Sequence, residues 1–110
     1  MNTAAPEASG SFQLAPSGNG RFVAQGPLTF ATARQAGEQG LQSLASAAGG
    51  ELEIDCAGIT ASDSAGLAVL LDWLGAMQRG GRALRYKQLP AGLMALARIS
   101  EVEELLERGV

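Results

Sequence analysis

Residues 52–68 read Leu52-Glu53-Ile54-Asp55-Cys56-Ala57-Gly58-Ile59-Thr60-Ala61-Ser62-Asp63-Ser64-Ala65-Gly66-Leu67-Ala68. Leu52, Ile54 and Cys56 alternate with Glu51, Glu53 and Asp55, the two-residue period of a strand with one face on a core. Ile59 to Gly66 reads as a loop, and beyond it the apolar residues fall at helical spacing as far as about Arg79. Asp63 or Ser62 is suited to cap that helix, because a short polar side chain accepts hydrogen bonds from the unpaired N–H groups of the first turn. Gly80-Gly81 ends it. Ala83 to Lys87 is the next strand, with Leu84 and Tyr86 on one face and Arg85 and Lys87 on the other.

Before this unit, Phe12 and Leu14 alternate with polar or small residues. Pro16-Ser17-Gly18-Asn19-Gly20 then makes a turn into Arg21-Phe22-Val23-Ala24-Gln25, so a β-hairpin is expected, ended by Gly26-Pro27. From Thr32 to Ala48 the apolar positions Ala33, Ala36 or Gly37, Leu41, Leu44, Ala45 and Ala48 predict a helix, stopped at Gly49-Gly50. Gly37 and Gly40 inside it cost about 1 kcal/mol each relative to alanine; close packing on the sheet would account for them. After the last strand, Pro90 suits a first helical position, and Leu93, Leu96 and Ala97 supply that helix's buried side. Ser100-Glu101-Val102-Glu103 fits a capping box for a short final helix with Val102, Leu105 and Leu106 inward. The order β-β-α-β-α-β-α-α implies an α/β fold, a mixed sheet with right-handed crossovers and flanking helices. Residues 1–10 read as a flexible N-terminal tail, and residues 11–110 as a single domain.

Composition narrows the function. The chain has 110 residues, 8 Lys+Arg against 11 Asp+Glu, a net charge of −3, one cysteine and no histidine. An acidic balance argues against nucleic-acid binding. Cysteine–histidine zinc sites, Ser-His-Asp triads and Cys-His pairs cannot be assembled. Asp55 and Asp63 bracket a loop without metal-ligand spacing and read as a strand end and a cap. No enzyme activity, catalytic residue, metal or cofactor is expected. With no apolar run near the roughly 18 residues of a span, no secretory leader and no lipidation motif, a cytoplasmic protein without direct membrane insertion is expected.

The long helix asks for a functional explanation. Leu67, Leu70, Leu71, Leu74 and Gln78, with Met77 at their edge, form a side sufficient to cover a sheet. The opposite side carries Ala65, Val69, Trp73 and Ala76 where polar residues are expected. An outward tryptophan favours a partner surface, since tryptophan is enriched at interface hot spots. The alternative is ordinary core, with a loop or the C-terminal helix folded over Trp73. At the helix start, Ser62-Asp63-Ser64-Ala65-Gly66 is either a cap and tight turn or a docking or phosphorylation site at a positive helix end.

The run Leu52–Ala68 resembles the signature of STAS domains (sulfate transporter and anti-sigma factor antagonist), in which an acidic strand end leads through Asp-Ser-Ser/Ala-Gly-Leu into a long helix. The resemblance extends from about Phe12 to the C-terminus and includes the Gly26-Pro27-Leu28-Thr29-Phe30 step into the first helix. It implies a STAS-like mixed sheet flanked by helices. Anti-sigma factor antagonists in the family are switched by phosphorylation of the second hydroxyl residue after the motif aspartate, a position held here by Ala65; Ser64 matches the first and is the weaker candidate phosphorylation site. The pattern Asp63-Ser64-Ala65-Gly66-Leu67-Ala68-Val69-Leu70-Leu71, with the later Leu89–Ala97 run, is closer to the MlaB-type subunit of the phospholipid-trafficking ABC transporter. That resemblance implies a non-catalytic subunit peripheral to the inner membrane. Its partner would be the MlaF-like ATPase subunit and, through it, the permease. Asp63, Ser64, Ala65, Gly66, Val69, Trp73 and Ala76 are the expected partner-binding residues. The alternative function is an anti-sigma factor antagonist that binds an anti-sigma kinase.

Overall fold

The computed structural model describes residues 10–110. Their order is strand β1 (Gln13–Gly18), strand β2 (Arg21–Leu28), helix α1 (Ala33–Ser46), strand β3 (Glu51–Ser62), helix α2 (Ser64–Arg79), strand β4 (Ala83–Lys87), helix α3 (Ala91–Ile99) and helix α4 (Glu103–Arg108). The expected α/β class and element order are present. The tail expected over residues 1–10 lies, except for Gly10, outside the described residues.

The sheet runs β1-β2-β3-β4, with β1 antiparallel to β2 and the other neighbours parallel. Register aligns Phe22 with Ile54 and Ile54 with Tyr86, and Leu52 with Leu84. All five are buried, as are Leu14, Ala24 and Cys56. The residues between them form the opposite face, where Arg21, Gln25, Glu51, Arg85 and Lys87 are exposed. Strict alternation is the cause: one face is apolar enough to bury under helices and the other is solvated. On the open face Glu53 lies 3.7 Å from Arg21 and 3.0 Å from Lys87. Such exposed pairs contribute at most about 1 kcal/mol each.

Three strands run further than the sequence pattern predicts. β1 takes in Pro16-Ser17-Gly18, expected in the turn, because Pro16 pairs with Phe22 and Gly18 with Arg21 of β2. Neither β2 ends at Gly26-Pro27 nor β3 at Cys56; instead Gly26 pairs with Ile59, Pro27 with Ala61 and Leu28 with Ser62, past two register shifts. Turn-type residues stay extended here because each strand offers the other a ladder, a tertiary effect that overrides local propensity. Gly26 makes the irregularity possible. Its φ is 95°, and a Cβ there would overlap the carbonyl oxygen of Ser11. Asp55 Oδ1 accepts the Ala57 N–H at 2.9 Å where the register shifts.

The helix ends also differ in detail. Buried positions on α1 are Ala36, Gly40 and Leu44, whereas Leu41, Ala45 and Ala48 are exposed, so the inward stripe is rotated from the expected one. Beyond α1, the guanidinium of Arg82 donates to the carbonyls of Leu44 at 2.7 Å, Ala47 at 2.6 Å and Gly49 at 2.7 Å. Leu44 O also accepts the Ala47 N–H at 3.3 Å, so the guanidinium adds to the capping of the helix end and its turn. Pro90 is the N-cap of α3 and lies one residue outside the helix. The expected capping box does not form: Ser100 is the C-cap of α3, and Val102 precedes α4 with no side-chain cap. Val102 N–H instead bonds Ala97 O at 2.8 Å and Glu101 N–H bonds Arg98 O at 3.1 Å, with Glu101 at φ 61°, a Schellman turn.

Candidate functional site

The start of α2 is built by Asp63. As N-cap it accepts the Gly66 N–H on Oδ1 at 3.1 Å, and its Oδ2 accepts the Phe30 N–H at 2.9 Å. One carboxylate thus closes the first turn of α2 and fastens the β2–α1 loop to it. The Phe30 and Gly66 hydrogen bonds hold the carboxyl below its ordinary value. Gly66 is required for a different reason: a Cβ there would overlap the carbonyl oxygen of Leu28, so the first turn can lie against the end of β2 only without a side chain. Ser64, the first residue of α2, is exposed, and Ala65 is half-buried.

Trp73 is not on an outer face. Its side chain is completely buried, and Val69 is buried as well. The indole lies in a slot that Gly40 of α1 leaves open, where a Cβ would overlap the ring. Nε1–H donates to the carbonyl oxygen of Gly37 at 3.3 Å, and Phe12 stacks obliquely with ring centroids 6.2 Å apart. Partner-surface roles expected for Val69 and Trp73 are therefore replaced by a core role. The cover is α1 together with Phe12 ahead of β1, not the C-terminal helix. Gly40 is explained by the indole rather than by the sheet, whereas a Cβ at Gly37 would meet nothing within 4 Å and only its carbonyl serves the indole. Ala76 is half-buried and packs against the core.

The solvent side of α2 consists instead of Ser64, Ala68, Asp72, Gln78 and Arg79. Beside its start projects Phe30, 84% exposed, a residue that the periodicity of the chain does not single out because it falls between two elements. Its signal is the Asp63 bond that places it beside Ser64. Residues 26–33 and 57–69 contain one charged side chain, Asp63, and both its oxygens are bonded to backbone N–H groups. Arg34, next along the first turn of α1, faces Glu38 at 4.0 Å, so this end of the sheet carries little net charge. Ala31, Thr60 and Ala61 are exposed there too.

The grooves lie elsewhere. One, of about 640 Å³, crosses the open sheet face between Arg21, Glu53, Arg85 and Lys87, and another, of about 610 Å³, separates the hairpin turn from the end of α1. Cys56 is buried at the strand, and burial, with the Asp55 carboxylate adding, pushes its thiol up to about 12, so it carries no thiolate at neutral pH. Among the described residues no group of three or more His, Cys, Asp or Glu could hold a metal ion. No helix among them is long and apolar enough to cross a membrane.

Comparison with known proteins agrees with this architecture. The family model described as "Mlab, STAS domain" matches residues 13–107. A sulfate transporter family protein from Wolinella succinogenes has a similar structure, with TM-score 0.63, 16% identity, 87% of this chain and 77% of that chain covered. The anti-sigma factor antagonist SpoIIAA in its unphosphorylated form is similar with TM-score 0.61 and 13% identity, covering 80% of this chain and 82% of that one. At these identities the likeness is one of fold. No curated protein is close enough to match the sequence.

Proposed function

The chain belongs to the MlaB-type STAS domain family, and on that premise we propose that it is a non-catalytic cytoplasmic subunit of a phospholipid-transport ABC complex. It binds the ATPase subunit, and through it the permease, and so supports assembly and activity of a transporter that maintains outer-membrane lipid asymmetry. One observation carries the reading: an exposed Ser64 stands at an almost uncharged end of the sheet, with Ala65 where a phosphoswitch needs a hydroxyl. Depletion of charge is what distinguishes the centre of a protein–protein interface from the surrounding surface. Asp63 and Gly66 act by shaping this end, and Ser64 and Ala65 belong to the contact. The single domain over residues 11–110 is sufficient for it.

Co-expression with a cognate ATPase subunit tests the reading. The pair is expected to co-purify, and Ser64→Lys, which puts a charge and a long side chain at the contact, is expected to release the ATPase without unfolding the domain. Failure of the unmodified chain to retain the ATPase would overturn it. The exposed Ser64 hydroxyl also favours a second reading, an anti-sigma factor antagonist. Phosphate on Ser64 after incubation with an anti-sigma kinase and ATP, read by mass spectrometry, would select it.

A further inference from the structure

Resting on the reading that the Ser64 end meets a partner protein, we infer that Phe30 anchors the contact, its ring entering an uncharged, apolar pocket on that partner. Among the described residues three large apolar side chains are exposed: Phe30 at 84%, Ile99 at 80% and Leu41 at 38%. Ile99 ends α3 next to the Arg98–Glu103 ion pair, and Leu41 is only partly uncovered in mid-α1. Phe30 differs from both in how it is held and in what surrounds it.

Its backbone is fixed before any partner arrives. The Phe30 N–H is bonded to Asp63. The Thr32 hydroxyl accepts the Thr29 N–H at 3.0 Å and donates to Pro27 O at 2.8 Å, and Thr32 N–H bonds Thr29 O at 3.0 Å. A ring presented on a loop tied at both ends loses little backbone freedom on binding, and preorganisation of this kind improves affinity. The ring makes no part of the buried core, so the domain's own stability does not explain its presence. Charge complementarity sets the occupant's chemistry. Residues 26–33 and 57–69 hold no cation and the next one, Arg34, faces Glu38 at 4.0 Å, so a phosphate-bearing surface finds no uncompensated positive charge here. An uncharged protein pocket, with a rim group able to hydrogen-bond Ser64, does.

The test places the photo-crosslinker p-benzoylphenylalanine at position 30 of the full chain, and at position 99 as a control, in cells and with the purified ATPase subunit. The expected result is a crosslink to the ATPase from position 30 and none from 99. In addition, Phe30→Ala is expected to weaken the complex about thirtyfold or more with an unchanged urea midpoint. A complex that forms yet neither crosslinks from position 30 nor weakens with Phe30→Ala overturns the anchor and leaves the ATPase reading standing. If the ATPase does not bind, that reading fails by itself. The anchor then stands only if position 30 crosslinks another protein whose purified form binds the unmodified chain about thirtyfold more tightly than Phe30→Ala; no crosslink, one to residues 1–9 of the same chain, or one without that difference overturns it.

Discussion

On one side of α2, Val69 and Trp73 are buried, the indole against Gly40 of the neighbouring helix; on another, Ser64, Ala68 and Asp72 meet solvent. Both sides contain small and apolar residues, and on helical periodicity alone the Trp73 side is the one that stands out. What separates them is the neighbour. α1 carries Gly40 where the indole needs room and the Gly37 carbonyl where Nε1–H needs an acceptor. Nothing among the described residues covers the Ser64 side, and the adjacent loop adds an exposed ring rather than a lid. An apolar side chain is thus a sign of contact, but the contact can be internal.

If this division is right, variants on the sealed side change stability and variants on the open side change binding. The largest effect is expected from Trp73→Ala, which empties a fully buried site; a loss of about 3–5 kcal/mol, followed by circular dichroism in urea, is a large fraction of a small domain's stability. Gly40→Ala, adding one methyl into the slot, should cost about 1–3 kcal/mol. A Gly40→Ala protein as stable as the parent would show that the slot is not closed. Arg82→Met removes the donor shared by the carbonyls after α1 and should cost about 2 kcal/mol, and Arg82→Lys should not restore it because a single ammonium cannot span them.

Asp63 joins the two sides and responds to pH. Its carboxyl is held below the ordinary value by backbone N–H donors, so its contribution is present above the unfolded pKa, near 4, and is lost as pH falls through the lower folded value. The gap in urea midpoint between the parent and Asp63→Asn is therefore expected to be widest at neutral pH and to close toward pH 3. A gap independent of pH would mean that charge plays no part in the cap. Smallest of all, Phe30→Ala and Ser64→Ala should each shift stability by no more than about 0.5 kcal/mol, as surface residues outside the core do.

Much of the fold is legible in the chain. Leu52, Ile54 and Cys56 show which face of the central strand is inside, Leu84 and Tyr86 do the same for β4, and Asp63 is recognisable as a cap from its place ahead of a helical pattern. Less legible is the extension of β2 and β3 through Gly26-Pro27 and Thr60-Ala61-Ser62, where local preference favours turns and only mutual pairing keeps the backbone extended. Arg82 was equally silent, because its acceptors are more than 30 positions away. At the site, Asp63, Ser64 and Gly66 are readable from their motif, while Phe30 is joined to them by a bond across 33 positions.

By itself the sequence determined the element order, the inward face of each strand and the family signature at the start of α2, because these depend on the spacing of neighbours along the chain. Tertiary structure alone decided where the tryptophan goes, which glycine receives it, and which aromatic ring is left in water. Periodicity records that a side chain is apolar and which way it turns; whether another element stands in that direction depends on contacts between residues far apart in the chain, and those form only when it folds.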